Sequence, residues 1–132
     1  MKELQTIQKE NKLNDVFAAD EPTPNGAHHL YQVCKHETAS FDGEGNLHLA
    51  PESMLLTVQF QRGPRNDINS TLGVTEMDLL EIVRDRLKAF QDGPFACHAN
   101  VVALTHVSAA LHNLKARTKV LAEGGVLGTD AP

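Results

Sequence analysis

Apolar and polar positions change rhythm partway along this chain, and the change divides it. From Leu30 to Cys34, and again from Leu55 to Gln61, aromatic and β-branched residues alternate with polar ones, as in Val58 and Phe60 against Thr57, Gln59 and Gln61. A period of two predicts half-buried strands. Between them, Phe41-Asp42-Gly43-Glu44-Gly45-Asn46-Leu47 carries the aspartate-glycine chemistry of a tight hairpin, and Pro51 ends the returning strand. A small antiparallel sheet is the economical arrangement. Upstream, residues 1–24 show weak periodicity, and the run Glu21-Pro22-Thr23-Pro24-Asn25-Gly26 breaks any continuing element. That segment is expected to be a flexible or loosely docked arm.

Beyond Arg62-Gly63-Pro64-Arg65 the period lengthens. Thr75 opens an acidic first turn suited to capping, and Leu79, Ile82, Val83, Leu87 and Phe90 recur at helical spacing, which predicts a helix over 76–91. Gly93-Pro94 stops it. A second helix, from about Ala96 to Leu121, presents Val101, Leu104, Val107, Leu111 and Leu114 as its stripe, with Lys115, Arg117 and Lys119 opposing the negative end of its dipole. Two helices joined by a short turn form an antiparallel hairpin. The fold class is therefore α+β: an arm over 1–24, a small sheet region over 25–67 and a helical hairpin over 68–132, in one compact unit. The closing Gly124-Gly125-Val126-Leu127-Gly128-Thr129 is too short and glycine-rich for a further element.

The elbow Phe90-Gln91-Asp92-Gly93-Pro94-Phe95-Ala96-Cys97-His98-Ala99-Asn100 is where function is expected. It brings an aromatic ring at the end of one helix near an amide in the first turns of the next, so a flat face and a hydrogen-bonding group can converge on a small ligand. The bland alternatives are a core aromatic capping the helix pair for Phe90 and a helix-surface amide for Asn100.

Composition narrows the chemistry. With 132 residues, 41% of them hydrophobic and 22% charged, the chain fits one globular domain. It contains no run near the roughly 20 apolar residues that span a bilayer, and its polar N-terminus lacks a secretory pattern, so residence in the cytoplasm is expected. Seventeen acidic against twelve basic side chains give a net charge of −5, which disfavours a broad DNA or RNA surface and makes any bound anion small. Clusters remain at Arg62 and Arg65, at Arg84, Arg86 and Lys88, and at Lys115, Arg117 and Lys119. Cys34 and Cys97 are expected to be reduced and packed. The seven histidines lack the helical spacing of a zinc pair. No nucleophile elbow or nucleotide-cradling glycine loop is present, so neither catalysis, metal nor cofactor is expected.

The residues Phe60-Gln61-Arg62-Gly63-Pro64, Leu80 to Leu87, Phe90 to Cys97 with Asn100, and Arg117-Thr118 with Gly125 to Thr129 carry a resemblance. Together they resemble the helical-hairpin domain of phage anti-Thoeris proteins of the Tad type-one family, a hairpin shared with anti-CBASS nucleotide-binding relatives. Gly26-Ala27-His28-His29-Leu30-Tyr31 is similar to the segment that opens the small sheet in the same branch. The resemblance implies a non-catalytic viral protein that captures a cyclic ADP-ribose-type immune signal, including glycocyclic isomers, without degrading it. It also implies assembly as dimers or hexamers in the cytoplasm of an infected bacterial host.

On that resemblance Phe90 would stack on a base, Asn100 would hydrogen-bond to the base or its ribose, and Arg117 and Arg65 would clamp the phosphates. Gly26, Ala27, His28 and Tyr31 would form a second site for cyclic di- or trinucleotides of CBASS, the alternative being a strand entry with Tyr31 packed. Leu121 stands where the family commonly has an arginine, and Leu127 where it has an acidic residue. Competing functions are a protein-binding module using the hairpin and a signal-degrading enzyme.

Overall fold

The computed structural model describes residues 1–123. Its elements in chain order are β1 (Lys2–Glu3), β2 (Asn14–Ala18), β3 (Leu30–Lys35), β4 (Ala39–Phe41), β5 (Leu47–Leu49), a single 3-10 turn at Pro51–Ser53, β6 (Met54–Gln59), α1 (Glu76–Gln91) and α2 (His98–Glu123). Strands β1, β2, β3 and β6 form one antiparallel sheet in that order, and β4 pairs with β5 alone. The α+β expectation holds, with strands in the first half and a helical pair in the second.

The two-stranded unit follows from its turn. Asp42 Oδ1 accepts the N–H groups of Glu44 at 2.8 Å and Asn46 at 2.9 Å, while Gly45 supplies the positive φ of 84° that the reversal needs. His48 on β5 donates to Asp42 Oδ2 at 3.0 Å. That bond, ahead of the two backbone donors, holds the Asp42 carboxyl well below the usual carboxylate range.

Residues 14–18 depart from the expectation of an arm. They form a full strand, paired from Asn14↔Lys35 to Ala18↔Tyr31, and contribute the buried Phe17 and Ala18 to the core beside Cys34 and Val58. What hides the strand from a periodicity reading is Asp15, which is 3% exposed. A buried carboxylate is tolerated only when paired. Asp15 has three partners: His36 Nδ1 at 2.8 Å, the Glu37 N–H at 2.9 Å and Lys12 Nζ at 3.0 Å. Burial alone would raise its pKa, but the His36 ring, the Glu37 N–H and the Lys12 ammonium overcome that and hold it at about 2.

The helix ends are local chemistry. Thr75 and Asp78 make the expected reciprocal capping box, with the Thr75 N–H donating to Asp78 Oδ2 at 2.9 Å. Past Gln91 the chain turns, with the Gly93 N–H on the Phe90 carbonyl at 3.3 Å. Helix α2 begins two residues later than expected because Ala96 N–H closes a turn onto Gly93 and Cys97 N–H donates to Gln91 Oε1 at 2.9 Å. It also runs past Leu121, so Lys115, Arg117 and Lys119 precede the last turn, where no basic residue lies, and their dipole contribution is weakened. The glycine-rich segment from Gly124 onward lies outside the described residues.

Within the hairpin, Leu111 is buried at 6% exposure, whereas no residue of α1 is buried. Ile82 and Val83, expected on the inner stripe, are 66% and 43% exposed, and Val101 and Val102 are also exposed. The sheet hands over to the hairpin through two bridges, Phe60↔Val74 and Arg62↔Thr71. Gly73 is required there: a Cβ on it would lie 2.3 Å from the Gln59 carbonyl oxygen and 2.5 Å from the Phe60 carbonyl carbon.

Candidate functional site

At the elbow, Phe90 and Asn100 are linked through Phe95. Phe90 closes α1 half-buried, and the ring of Phe95, 72% exposed, stands edge-on to it with centroids 6.4 Å apart and planes at 83°. Asn100, in the first turn of α2, donates from Nδ2 to the Phe95 carbonyl at 3.4 Å. That long bond leaves its carboxamide oxygen and one N–H available, while tying the amide to the Phe95 backbone. A third neighbour was not foreseen: the guanidinium carbon of Arg86 lies 5.0 Å from the Phe90 ring centroid. Such a cation, itself exposed to solvent, contributes about 0.5–1 kcal/mol on the ring. The four-residue spacing of Arg86 and Phe90 on one helical face could have revealed it.

Of the two cations expected at this site, one lies far along α2 and the other is engaged in a brace. Arg117 is exposed on α2, seventeen residues beyond Asn100, which at 1.5 Å per residue is about 25 Å along the helix. It cannot meet Phe90 within one chain. Arg65 is engaged as a brace, donating from Nε to Gln61 Oε1 at 2.9 Å and from Nη2 to the Gly73 carbonyl at 2.8 Å. Gln61 Oε1 also accepts the Gly73 N–H at 3.1 Å, so Arg65 steadies the bridge into the hairpin.

The second cluster is built on a turn. Gly26 takes φ of 90°, and its N–H donates to the Thr23 carbonyl at 2.8 Å. The Ala27 N–H donates to Asn25 Oδ1 at 3.0 Å, and the Thr23 hydroxyl also meets that oxygen. Both backbone donors that would cradle a phosphate are thus used inside the turn. His28 Nδ1 donates to the Asp20 carbonyl at 2.8 Å and lies 3.2 Å from Asp20 Oδ1, so its Nε2 is the remaining nitrogen. Burial would raise the Asp20 carboxyl, but the His29 and Leu30 N–H groups and the His28 ring hold it down. Tyr31 packs edge-on to Phe60 at 5.6 Å and to His28 at 6.3 Å. Burial, then the negative charges of Asp20 and Glu76, pushes its phenol pKa up. Tyr31 is thus packed between two rings at the strand entry.

Among the described residues no group of three or more histidine, cysteine or acidic side chains could hold a metal ion, and no helix is long and apolar enough to cross a membrane. Cys34 is buried, as expected, but Cys97 is exposed at the elbow.

An α+β chain with a small antiparallel sheet and a two-helix hairpin whose elbow presents paired aromatics and an amide defines a class of hairpin-domain proteins. The chain belongs to the family described as Acb2/Tad1, hairpin domain, which matches residues 54–119, from the start of β6 through most of α2. It is also similar to a protein of Bacillus phage SBSphiJ7 named Thoeris anti-defense 1, at 40% identity over 75 residues that cover 57% of this chain and 52% of that protein. The chain spans about half the length of this curated relative.

Proposed function

We propose that this protein captures a cyclic ADP-ribose-type signal of Thoeris immunity and withholds it intact from its effector, in the cytoplasm of the infected host. The observation that supports the reading is the elbow: Phe90, Phe95 and Asn100 are linked by an edge-on ring contact at 6.4 Å and by a hydrogen bond from the Asn100 side chain to the Phe95 carbonyl at 3.4 Å, on the segment matched by the family. A purine stacks on Phe90, and Asn100 reads its edge or its ribose. The sheet-side cluster of Gly26, Ala27, His28 and Tyr31 accepts a cyclic oligonucleotide through His28, provided the turn opens its backbone donors.

The site is completed by a second chain. Stacking supplies about 1–3 kcal/mol and each charge-assisted phosphate bond about 1.5–3 kcal/mol. Nanomolar retention needs about 12 kcal/mol net, beyond what one ring and two cations provide. Since Arg117 lies about 25 Å along α2 from Asn100, it serves the elbow of a neighbour, and Arg65 joins it only by releasing Gln61 or Gly73.

The test is to incubate the protein with the products of an active TIR enzyme, wash, denature it and identify what is released by mass spectrometry. Intact cyclic ADP-ribose-type nucleotide is expected, together with a raised melting temperature in its presence. Phe90→Ala and Asn100→Ala should each lose retention while keeping the assembly, and unchanged retention in both rejects the site. A cleaved product would instead establish turnover, and no thermal response would favour a protein-binding module.

A further inference from the structure

We infer that Arg86 is the phosphate-contacting cation supplied by the same chain as the stacking ring, and that it exchanges partners on binding: the base displaces its guanidinium from Phe90, and the freed guanidinium pairs with the diphosphate of that ligand. This rests on the reading of Phe90 as the stacking residue.

The argument is by position and occupancy. The Arg86 guanidinium is 5.0 Å from the Phe90 centroid, on the same helical face at four-residue spacing. Its neighbours in the basic cluster are placed differently. Lys88, two residues from Phe90, projects from another side of α1. Arg84 points into the groove between the helices, with Nε 3.4 Å from Ser108 Oγ. Arg65 is tied to Gln61 and Gly73, and Arg117 is out of reach along α2. A cation resting on the ring occupies the surface a purine needs, so purine and guanidinium compete for it. In a cyclised ADP-ribose the diphosphate is one ribose from the base. The displaced guanidinium, with five donors in a fork that matches phosphate oxygens, has its new partner within the swing of its own side chain.

The experiment measures binding of cyclic ADP-ribose by calorimetry over a salt series, for the wild type, Arg86→Gln, Arg86→Lys and Phe90→Ala. Arg86 is exposed and glutamine is a good helix former, so the fold should be kept. Arg86→Gln should bind about ten- to a hundredfold more weakly with a shallower salt dependence, and Arg86→Lys should recover the salt dependence but only part of the affinity. If Phe90→Ala loses binding while Arg86→Gln matches the wild type at every salt concentration, the exchange is wrong and the stacking site stands. If Phe90→Ala binds like the wild type, the reading of the ring fails and the exchange fails with it.

Discussion

Asp15 shows how one side chain decides a strand. Its carboxylate is almost fully enclosed, and His36, Glu37 N–H and Lys12 replace the water it has lost. Because its folded pKa of about 2 lies below the ordinary value of 3.8, the charged form stabilises the fold. The contribution is complete above the unfolded pKa and is lost as pH falls from about 4 through about 2; it amounts to about 2 kcal/mol. Urea unfolding of Asp15→Asn should therefore show a deficit of that order near neutral pH, closing progressively in acid. An equal deficit at both ends would mean that packing, and not the charge, is what the substitution removes.

At the same scale, the turn that carries Phe95 between Phe90 and Asn100 was legible because it is short and local. Arg86 was visible only as one of three basic residues in a row of charges. Which of the three meets the ring is decided by helical phase and by the rotamer it adopts against Phe90.

At the scale of elements, the helices were the most readable part. The limits of α1 coincide with the expected 76–91 because a capping box and a glycine-proline stop act within a few residues. Strand β2 was missed because its support lies across the sheet, in Lys35 through Tyr31, and a buried aspartate interrupts its pattern. The joint between sheet and hairpin is an element-scale device as well. Gly73→Ala would drive a methyl against the backbone of Gln59 and Phe60, atoms that cannot rotate away. We expect a loss of about 1–3 kcal/mol, read as a lower melting temperature. Gly43→Ala, with open space around the position, should melt like the wild type; equal losses in the two would show that glycine flexibility and not close approach matters at residue 73.

For the whole molecule, the distribution of burial is uneven. Of the buried apolar residues among those described, Phe17, Ala18, Cys34 and Val58 belong to the sheet and Leu111 alone to the hairpin. A pair of helices with Ile82, Val83, Val101 and Val102 turned to solvent lacks the second layer that an amphipathic surface requires. Under the proposed function, another copy of the chain supplies it. Light scattering should give a mass above that of one chain. Ile82→Lys combined with Val102→Lys should lower the mass while leaving the helical circular dichroism intact, and should weaken ligand retention. A wild type that stays single at tens of micromolar would remove assembly from the account.

What the sequence determined alone was what neighbours within a few residues set: the limits of α1, the Asp42 hairpin, the short turn joining the helices and the division into a β half and an α half. Tertiary structure decided which segments join the sheet, which partners hold Arg65, and which apolar faces stay open. The reason is range. Capping, turn chemistry and periodicity are short-range preferences written in consecutive residues, whereas strand partners, buried charges and the reach of a cation depend on distances that only the folded chain defines.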